Sequence, residues 1–467
     1  MSLNEIIPLL ERDEWVIALQ EAVERLPRSR VLEIDDLPVA ARAAVIAVLI
    51  ANKQRPTVIV TSRLDTAEEM AGLLSEYLDV EPLVWPVAEA LPYEQLPVDR
   101  TVSARRVETL LRLLDDQASV IVAPARALTQ IVNPPEQLAG ERLDISVGQR
   151  LRVDTFVASA VEQGYEFMPM VTEPGQISRR GGIIDIFPPG SEHAVRIDLF
   201  GDEIDSIRSF DPESQRSTEP LRTFSLLPPL EISLAHAPEA VAALRQIDSS
   251  ALRPEVEEEW QRLLHRTEQR DVKVGLELLA PYLVEEPATL LDYLPEDHLL
   301  LVVEPAAVRL AVEQLEAQSE ELRDALESAG ELPLGLRRTY LNWDEITEQL
   351  TRTRQLAFGA IPIGWAPSVA LPVAEDSMFS REMPSYAGRV DRLVERVREL
   401  LRDQWSIVVV TEQAIRLREL LEEHEIFPRV RAEGPNRANI AAVPPSPGTI
   451  EVRHGRLDGG WANDEVQ

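Results

Sequence analysis

Cysteine is absent from the 467-residue sequence, and lysine occurs only twice, as Lys53 and Lys273. Without cysteine the chain has no disulfide, no thiolate metal ligand and no cysteine nucleophile. Neither lysine follows a glycine, so the Gly-Lys-Ser/Thr signature of a phosphate-binding loop does not occur. The zinc motif His-Glu-x-x-His and the nucleophile elbow Gly-x-Ser-x-Gly are also missing. These absences exclude the best-known sequence signatures of nucleotide, zinc and serine hydrolases.

Positive charge is scarce as well, because 47 lysines and arginines face 80 aspartates and glutamates, which gives a net charge of −33. Binding to DNA draws much of its affinity from cations on phosphates, so we expect a poor autonomous DNA binder. The sequence has no long apolar run and no N-terminal signal segment, which predicts a cytoplasmic protein without membrane contact. The length and the 45% hydrophobic content predict a globular chain of about three domains.

Strand and helix patterns alternate through the first part of the chain. Such alternation predicts an α/β fold with a parallel sheet and helices on both faces. A buried-type strand followed by a long amphipathic helix predicts that the same domain resumes after residue 229. The predicted strands are Val31–Ile34, Thr57–Thr61, 120–122 and Leu299–Val303, and the predicted helices are Val39–Ala51, 66–77, 103–114 and 309–329.

From about residue 354 a further small α/β unit begins. Its helices are predicted over 390–401 and Ala414–Glu423, and its strands over Ile407–Val410, 439–443 and 449–452. No chemical motif appears in it.

The most informative stretch is 165–210. Three apolar runs, Ile183–Phe187, 195–200 and 204–210, are separated by Pro, Gly and Asp, which predicts an antiparallel β-meander. In the middle run Val195, Ile197 and Leu199 alternate with polar residues and should face a core.

Arg196, Asp198 and Phe200 should lie on the opposite face of that strand. Arginine and aromatic residues supply most of the energy of protein interfaces, so a face that carries both indicates a binding surface. Arg180 is followed by Gly181-Gly182, where the backbone can bend as other residues cannot.

The segments SRRGGIIDIFPPGSE and VRIDLFGDEIDSIRSFDPESQRS resemble the small insertion domain shared by UvrB and the transcription-repair coupling factors of the Mfd family. The ending FDPESQRS favours Mfd. The resemblance implies that this domain docks on the ATPase UvrA through Arg180, Arg196 and Phe200. The alternative is that both arginines are ordinary surface residues that pair with Glu192 or Asp198, and that Phe200 belongs to the core.

The resemblance also implies the fold class: a degenerate P-loop-type parallel-sheet domain with an inserted small antiparallel β-rich domain, followed by a second small α/β domain. UvrB has its P-loop where this chain has DDLPVAAR at residues 35–42, which contains neither Gly nor Lys. The aromatic-rich DNA hairpin of UvrB corresponds to the short, Pro-rich segment 85–99. The predicted domains are 1–140 and 229–350 for the two halves of the UvrB-like domain, 141–228 for the UvrA-binding insertion, and 351–467 for the last unit.

The implied function is that of a non-enzymatic module that recruits UvrA and links stalled RNA polymerase to nucleotide excision repair. No cofactor is expected in this chain, since ATP and Mg²⁺ belong to the motor domains of the family, which are absent. RNA polymerase and DNA are expected only through missing domains, and a C-terminal regulatory domain of the family would mask the docking surface. The alternatives are a UvrB-like ATP-dependent enzyme that remodels DNA or binds damage, and an acidic scaffold whose meander is only structural.

Substitution of Arg180, Arg196 or Phe200 by alanine should weaken UvrA binding without changing stability, and Asp99→Ala should serve as a neutral control. Acidic pairs that could be taken for magnesium sites are instead predicted to be a hairpin turn, a helix N-terminus and a chain end. These pairs are Asp202-Glu203, Asp344-Glu345 and Asp464-Glu465.

Overall fold

The computed structural model describes residues 3–51, 55–87, 91–94, 97, 99–115, 120–188, 191, 193–272, 274–295, 298–372, 382–383, 386, 388–430, 446–455 and 460–462. Several predictions fall on residues outside these ranges. They are the strand over 439–443, the acidic pair Asp464-Glu465 and the pairing role of Glu192.

The described chain alternates between helices and short strands, as its hydrophobic periodicity predicts. The helices are α1 (Ile7–Leu10), α2 (Glu14–Arg25), α3 (Val39–Ala51), α4 (Leu64–Tyr77), α5 (Arg100–Leu114), α6 (Pro135–Glu141), α7 (Val153–Glu162), α8 (Ala237–Leu244), α9 (Pro254–Glu268), α10 (Leu276–Leu283), α11 (Pro305–Ser328), α12 (Trp343–Leu350), α13 (Val390–Arg402) and α14 (Ala414–Glu423). The strands are β1 (Val31–Ile34), β2 (Thr57–Thr61), β3 (Leu83–Val84), β4 (Val120–Pro124), β5 (Leu143–Ser146), β6 (Glu166–Phe167), β7 (Gln176–Arg180), β8 (Ile183–Phe187), β9 (Ala194–Phe200), β10 (Glu203–Phe210), β11 (Ser217–Leu221), β12 (Thr223–Leu226), β13 (Leu299–Val303), β14 (Gln355–Phe358), β15 (Ser368–Ala370), β16 (Glu382–Met383), β17 (Ile407–Val410), β18 (Arg429–Val430), β19 (Ile450–Arg453) and β20 (Gly460–Trp461).

The largest sheet has seven strands in the order β15-β1-β14-β13-β2-β4-β3, all of them parallel. Strand β2 lies between β4 and β13, so the chain on both sides of the β-rich insertion builds one sheet. The sheet also extends past the predicted boundary between residues 350 and 351. Strand β14 lies between β1 and β13 and is fully buried, so this boundary falls within the sheet.

Helices cover both faces of this sheet, which confirms the predicted α/β class. Along β2, Val58 and Val60 face one hydrophobic core, while Ile59 faces the other. Helices α3 and α4 cover the face of Ile59, and α5, α8 and α10 cover the opposite face. Burial on both faces explains why these strands are nearly continuous apolar runs instead of alternating patterns.

A second, mainly antiparallel sheet has the order β11-β10-β9-β8-β7-β6. Helix α7 packs Phe156 and Ala160 against one of its faces. A register shift between Ile204 and Ser206 lets both Ile204 and Ile207 face this core. Strand β5 pairs antiparallel with β12, so the chain enters and leaves this sheet through one two-stranded ribbon.

The segment that leads from β12 back to the parallel sheet is buried from residue 228 to 234. Within it, Glu231 accepts a hydrogen bond of 2.6 Å from Arg106 of α5, and both side chains are at least nine-tenths buried. The Ser233 amide donates to the Asn133 side chain at 3.0 Å. The hydroxyl of Tyr165 donates to the Leu227 carbonyl at 2.8 Å. These bonds attach the β-rich unit firmly to the parallel-sheet domain.

The last unit contains a three-stranded parallel sheet in the order β17-β19-β18, with α13 and α14 packed on it. Its Val408 and Val410 pack against the core on the α3 and α4 side of the large sheet. Among the described residues, none of the helices is both long and apolar enough to cross a bilayer.

We predict that Glu231→Gln destabilises the chain by about 3 kcal/mol, because it leaves the charge of Arg106 buried without its partner. Urea denaturation followed by tryptophan fluorescence measures this. The matched control is Glu348→Gln, which breaks the exposed pair between Glu348 and Arg352 and should leave the midpoint unchanged. Equal midpoints for both variants would contradict the prediction.

Candidate protein-docking site

The turn between β7 and β8 contacts the end of β9. Gly181 has a φ of 63°, which is a left-handed conformation that glycine adopts at no steric cost. A Cβ atom on Gly182 would lie 2.9 Å from the carbonyl oxygen of Leu199, so only glycine fits there. The Leu199 amide donates to the Gly182 carbonyl at 2.8 Å. The turn therefore folds directly onto the end of β9.

Alternation along β9 separates a core face from an exposed face. Val195 and Ile197 are buried in the core beneath α7. Phe200 is 85% exposed. The predicted assignment of faces is confirmed, and the alternative that Phe200 belongs to the core is contradicted.

Cross-strand register arranges the polar residues of this face in rows. One row runs from Arg180 through Ile183 to Asp198, and the next runs through Asp185 and Arg196 toward Arg208. The structure therefore brings Arg180, Arg196 and Phe200 onto one face of the sheet. We call this face the docking face, and we define it by Arg180, Ile183, Asp185, Arg196, Asp198, Phe200 and Arg208.

Arg196 is held more tightly than the sequence suggests. Its Nε donates to Asp185 Oδ1 at 2.6 Å and its Nη2 donates to Asp185 Oδ2 at 2.9 Å. The guanidinium also lies 4.5 Å from the ring centroid of Phe210. The hydrogen bonds to Asp185 raise the pKa of Arg196 above its ordinary value. Only 18% of the Arg196 side chain is exposed.

This geometry contradicts one alternative for Arg196 and corrects one expectation about it. It does not pair with Asp198, whose carboxylate instead binds Arg208 and accepts from Ser206 at 3.0 Å. It is also not an exposed residue whose replacement would leave stability unchanged, because its partner Asp185 is only 3% exposed.

Arg180 differs from Arg196 although both approach the same carboxylate. Its Nη2 lies 3.8 Å from Asp185 Oδ2, which is too long for a hydrogen bond. About half of its side chain is exposed, at 52%. Opposite Arg180 in register, Ile183 is also 38% exposed.

Sequence reasoning missed Ile183, Asp185 and Arg208 as members of this face. Alternation along β8 was the available signal, since Ile184 and Ile186 face the core and their neighbours must face away. Which residue of β8 meets Arg196 depends on the strand register, and the register is not visible in one sequence.

The carboxyl edge of the parallel sheet is the other place where this fold class binds ligands. Here the turn after β1 carries Asp35 and Asp36, and Asp36 has a φ of 63°. Arg42 of α3 donates to Glu304 at 2.9 Å, so its charge is already matched. Glu33 accepts from the Ile361 amide at 3.1 Å. Among the described residues, the turn after β1 carries carboxylates and no phosphate-binding glycine loop.

Two of the three acidic pairs lie in described residues, and both occupy the structural positions predicted for them. Asp202 lies in the turn between β9 and β10, and Glu203 begins β10. Asp344 and Glu345 lie in the first turn of α12. Within the described ranges, no three His, Asp or Glu side chains are grouped so that they could hold a metal ion.

The segment around 85–99 presents no aromatic surface in its described part. Trp85 is fully buried and donates to Gln130 at 3.0 Å, and Tyr93 is 4% exposed.

Comparison with known proteins agrees with the position of the β-rich unit. Residues 143–231 match the family described as the UvrB interaction domain. This range begins with β5 and ends in the buried segment that follows β12.

The chain as a whole is similar to proteins named transcription-repair-coupling factor. It is 28% identical to that of Bacillus subtilis over 402 residues, which is 83% of this chain and 34% of the relative. It is 27% identical to that of Myxococcus xanthus over 466 residues, or 94% of this chain and 39% of the relative. With the Escherichia coli protein the identity is 30% over 269 residues, or 57% and 23%. The chain spans roughly a third of the length of the curated relatives it matches.

We predict that Arg196→Ala lowers the free energy of unfolding by about 2 to 4 kcal/mol, because it removes both hydrogen bonds to the buried Asp185 carboxylate. Phe200→Ala should change it by less than about 0.5 kcal/mol, since the ring is exposed. Thermal and urea denaturation of the two variants decide this. Equal loss of stability in both would show that the burial assignments are wrong.

A second prediction concerns nucleotides. The carboxylates at the turn after β1 repel a triphosphate, so MgATP should not raise the melting temperature of this chain. Differential scanning fluorimetry with and without MgATP measures this. A nucleotide-dependent rise would restore the alternative of a UvrB-like ATP-dependent enzyme.

Proposed function

We propose that this chain, a relative of the transcription-repair-coupling factors, is their N-terminal module that recruits UvrA to stalled RNA polymerase and thereby starts nucleotide excision repair. In this proposal the β-rich unit is the UvrA-binding element, inserted into a degenerate P-loop-type domain. The module acts in the cytoplasm as a non-enzymatic docking and regulatory part, without a cofactor of its own.

One observation carries the proposal: Phe200 is 85% exposed beside a half-exposed arginine, on a sheet of the unit that matches the UvrB interaction domain. Phe200 shares this face with the partly exposed Ile183 and Arg180, and an exposed apolar patch rimmed by polar residues marks an interaction site. Aromatic and arginine side chains are the residues that most often dominate binding energy at interfaces. Arg180, Arg196 and Phe200 are therefore the residues we assign to UvrA binding.

The remaining activities of the pathway belong, in this proposal, to parts of the relatives outside the matched third. RNA polymerase binding and ATP-driven translocation on DNA, with ATP and Mg²⁺, would lie there. A net charge of −33 supports this division, since it opposes contact between this module and DNA phosphates. The C-terminal regulatory domain is proposed as the intramolecular partner that covers the docking face until it is needed.

We predict that Phe200→Ala and Arg180→Ala each weaken the binding of purified UvrA to this chain. A loss of about 2 kcal/mol, or roughly thirtyfold in Kd, is typical for the removal of such a side chain. Isothermal titration calorimetry gives the Kd, and thermal denaturation confirms that the variants are folded.

The matched controls are Phe427→Ala and Arg352→Ala, because both side chains are exposed, at 76% and 69%, and both lie outside the β-rich unit. Asp99→Ala, expected to be neutral, is unsuitable. Asp99 caps helix α5 by accepting from the Thr101 amide at 2.9 Å, and loss of such a cap costs about 1 kcal/mol. If the unaltered chain does not bind UvrA, or if both docking-face variants bind as tightly as the controls, the proposed function fails.

A further inference from the structure

Asp185 lies at the centre of the docking face but beneath its surface. It is 3% exposed, so it has no access to a partner protein. In register it stands between Ser178 of β7 and Arg196 of β9. Both of its carboxylate oxygens accept hydrogen bonds from Arg196. Its effect on any partner must therefore be exerted through the arginines.

Arg196 is fixed on several sides once Asp185 is in place. Its guanidinium lies 4.5 Å from the Phe210 ring centroid, and its Nη1 donates to the Gln215 carbonyl at 3.4 Å. Gln215 has a left-handed φ of 59°, and its side-chain amide donates to the Val171 carbonyl at 3.1 Å and to the Pro212 carbonyl at 2.7 Å. These contacts hold the guanidinium of Arg196 in one orientation.

Arg180 approaches the same carboxylate from the exposed side, at 3.8 Å. Two guanidinium groups near one point repel each other, and a carboxylate between them reduces this repulsion. One carboxylate matches only one of the two positive charges. The nearby Asp198 binds Arg208 and its charge also acts on Arg196, so the three arginines of the docking face share two carboxylates.

We infer that Asp185 is a positioning residue of the docking face, which holds Arg180 and Arg196 side by side so that a carboxylate of the partner completes their pairing. This inference rests on the proposed function and adds the chemistry of the partner: an acidic group on UvrA beside an apolar pocket for Phe200. A carboxylate matches guanidinium geometry better than any other protein side chain.

The test is the affinity of UvrA for Asp185→Asn, a variant of nearly equal shape without the charge. We expect Kd to rise about tenfold, as for the loss of a charge-assisted hydrogen bond. Calorimetry well below the melting temperature separates the two possible roles. A merely structural role lowers the fraction of active protein, and hence the stoichiometry, but leaves Kd unchanged.

The coupling between residues provides a second readout. In an Arg180→Ala/Arg196→Ala background, Asp185→Asn should have little further effect on Kd, because it acts only through these two side chains. The matched control is Glu451→Gln, which breaks a buried pair with Arg453 in the last unit and should leave Kd unchanged.

If Asp185→Asn does not fold, the apolar replacement Asp185→Leu/Arg196→Met is compared with Arg196→Met alone, since buried ion pairs often tolerate apolar substitutes. The double variant should be folded and bind more weakly than Arg196→Met, because Arg180 then also loses the carboxylate that positions it. The inference is overturned if a folded Asp185→Asn keeps the Kd of the unaltered chain, or if the apolar variant keeps the Kd of Arg196→Met, while Arg180→Ala and Phe200→Ala still weaken binding. If those two single variants also bind normally, the proposed function itself is wrong.

Discussion

The parallel pairing of β2 with both β4 and β13 is the constraint on which the rest of this structure depends. Strands far apart in sequence must meet in one sheet, so whatever lies between β4 and β13 has to leave the sheet and return close to it. The ribbon of β5 and β12 provides this return, and the buried segment 228–234 fixes it. The β-rich unit can therefore present a surface to a partner without disturbing the core that carries it.

Burial of Asp185 determines how the charges of the docking face are paired. A carboxylate as buried as that of Asp185 is tolerated because two hydrogen bonds from Arg196 satisfy it. Arg196 is thereby withdrawn from solvent, while Arg180 and Phe200 remain accessible. Two arginines that the sequence presents as equivalent thus differ in role, because only one of them lies in the row of the buried carboxylate.

The carboxyl edge of the large sheet differs in its chemistry from a phosphate-binding site. Parallel α/β sheets bind ligands at this edge, and a helix follows β1 here as well. The turn after β1 is instead acidic, and Arg42 of α3 is matched by Glu304. Helix α3 begins here without glycine, so the close approach of backbone amides to phosphate is lost.

The sequence by itself determined the elements and their faces. Helix α3 and strands β1, β2, β8 and β13 have the predicted bounds. Alternation along β9 correctly predicted that Phe200 is exposed, because local periodicity alone determines which side chains share a face. Only the tertiary structure decided that β14 joins the large sheet beyond residue 350 and that Asp185 pairs with Arg196. These facts depend on strand order and cross-strand register, which arise from contacts between distant parts of the chain and leave no periodic signal in it.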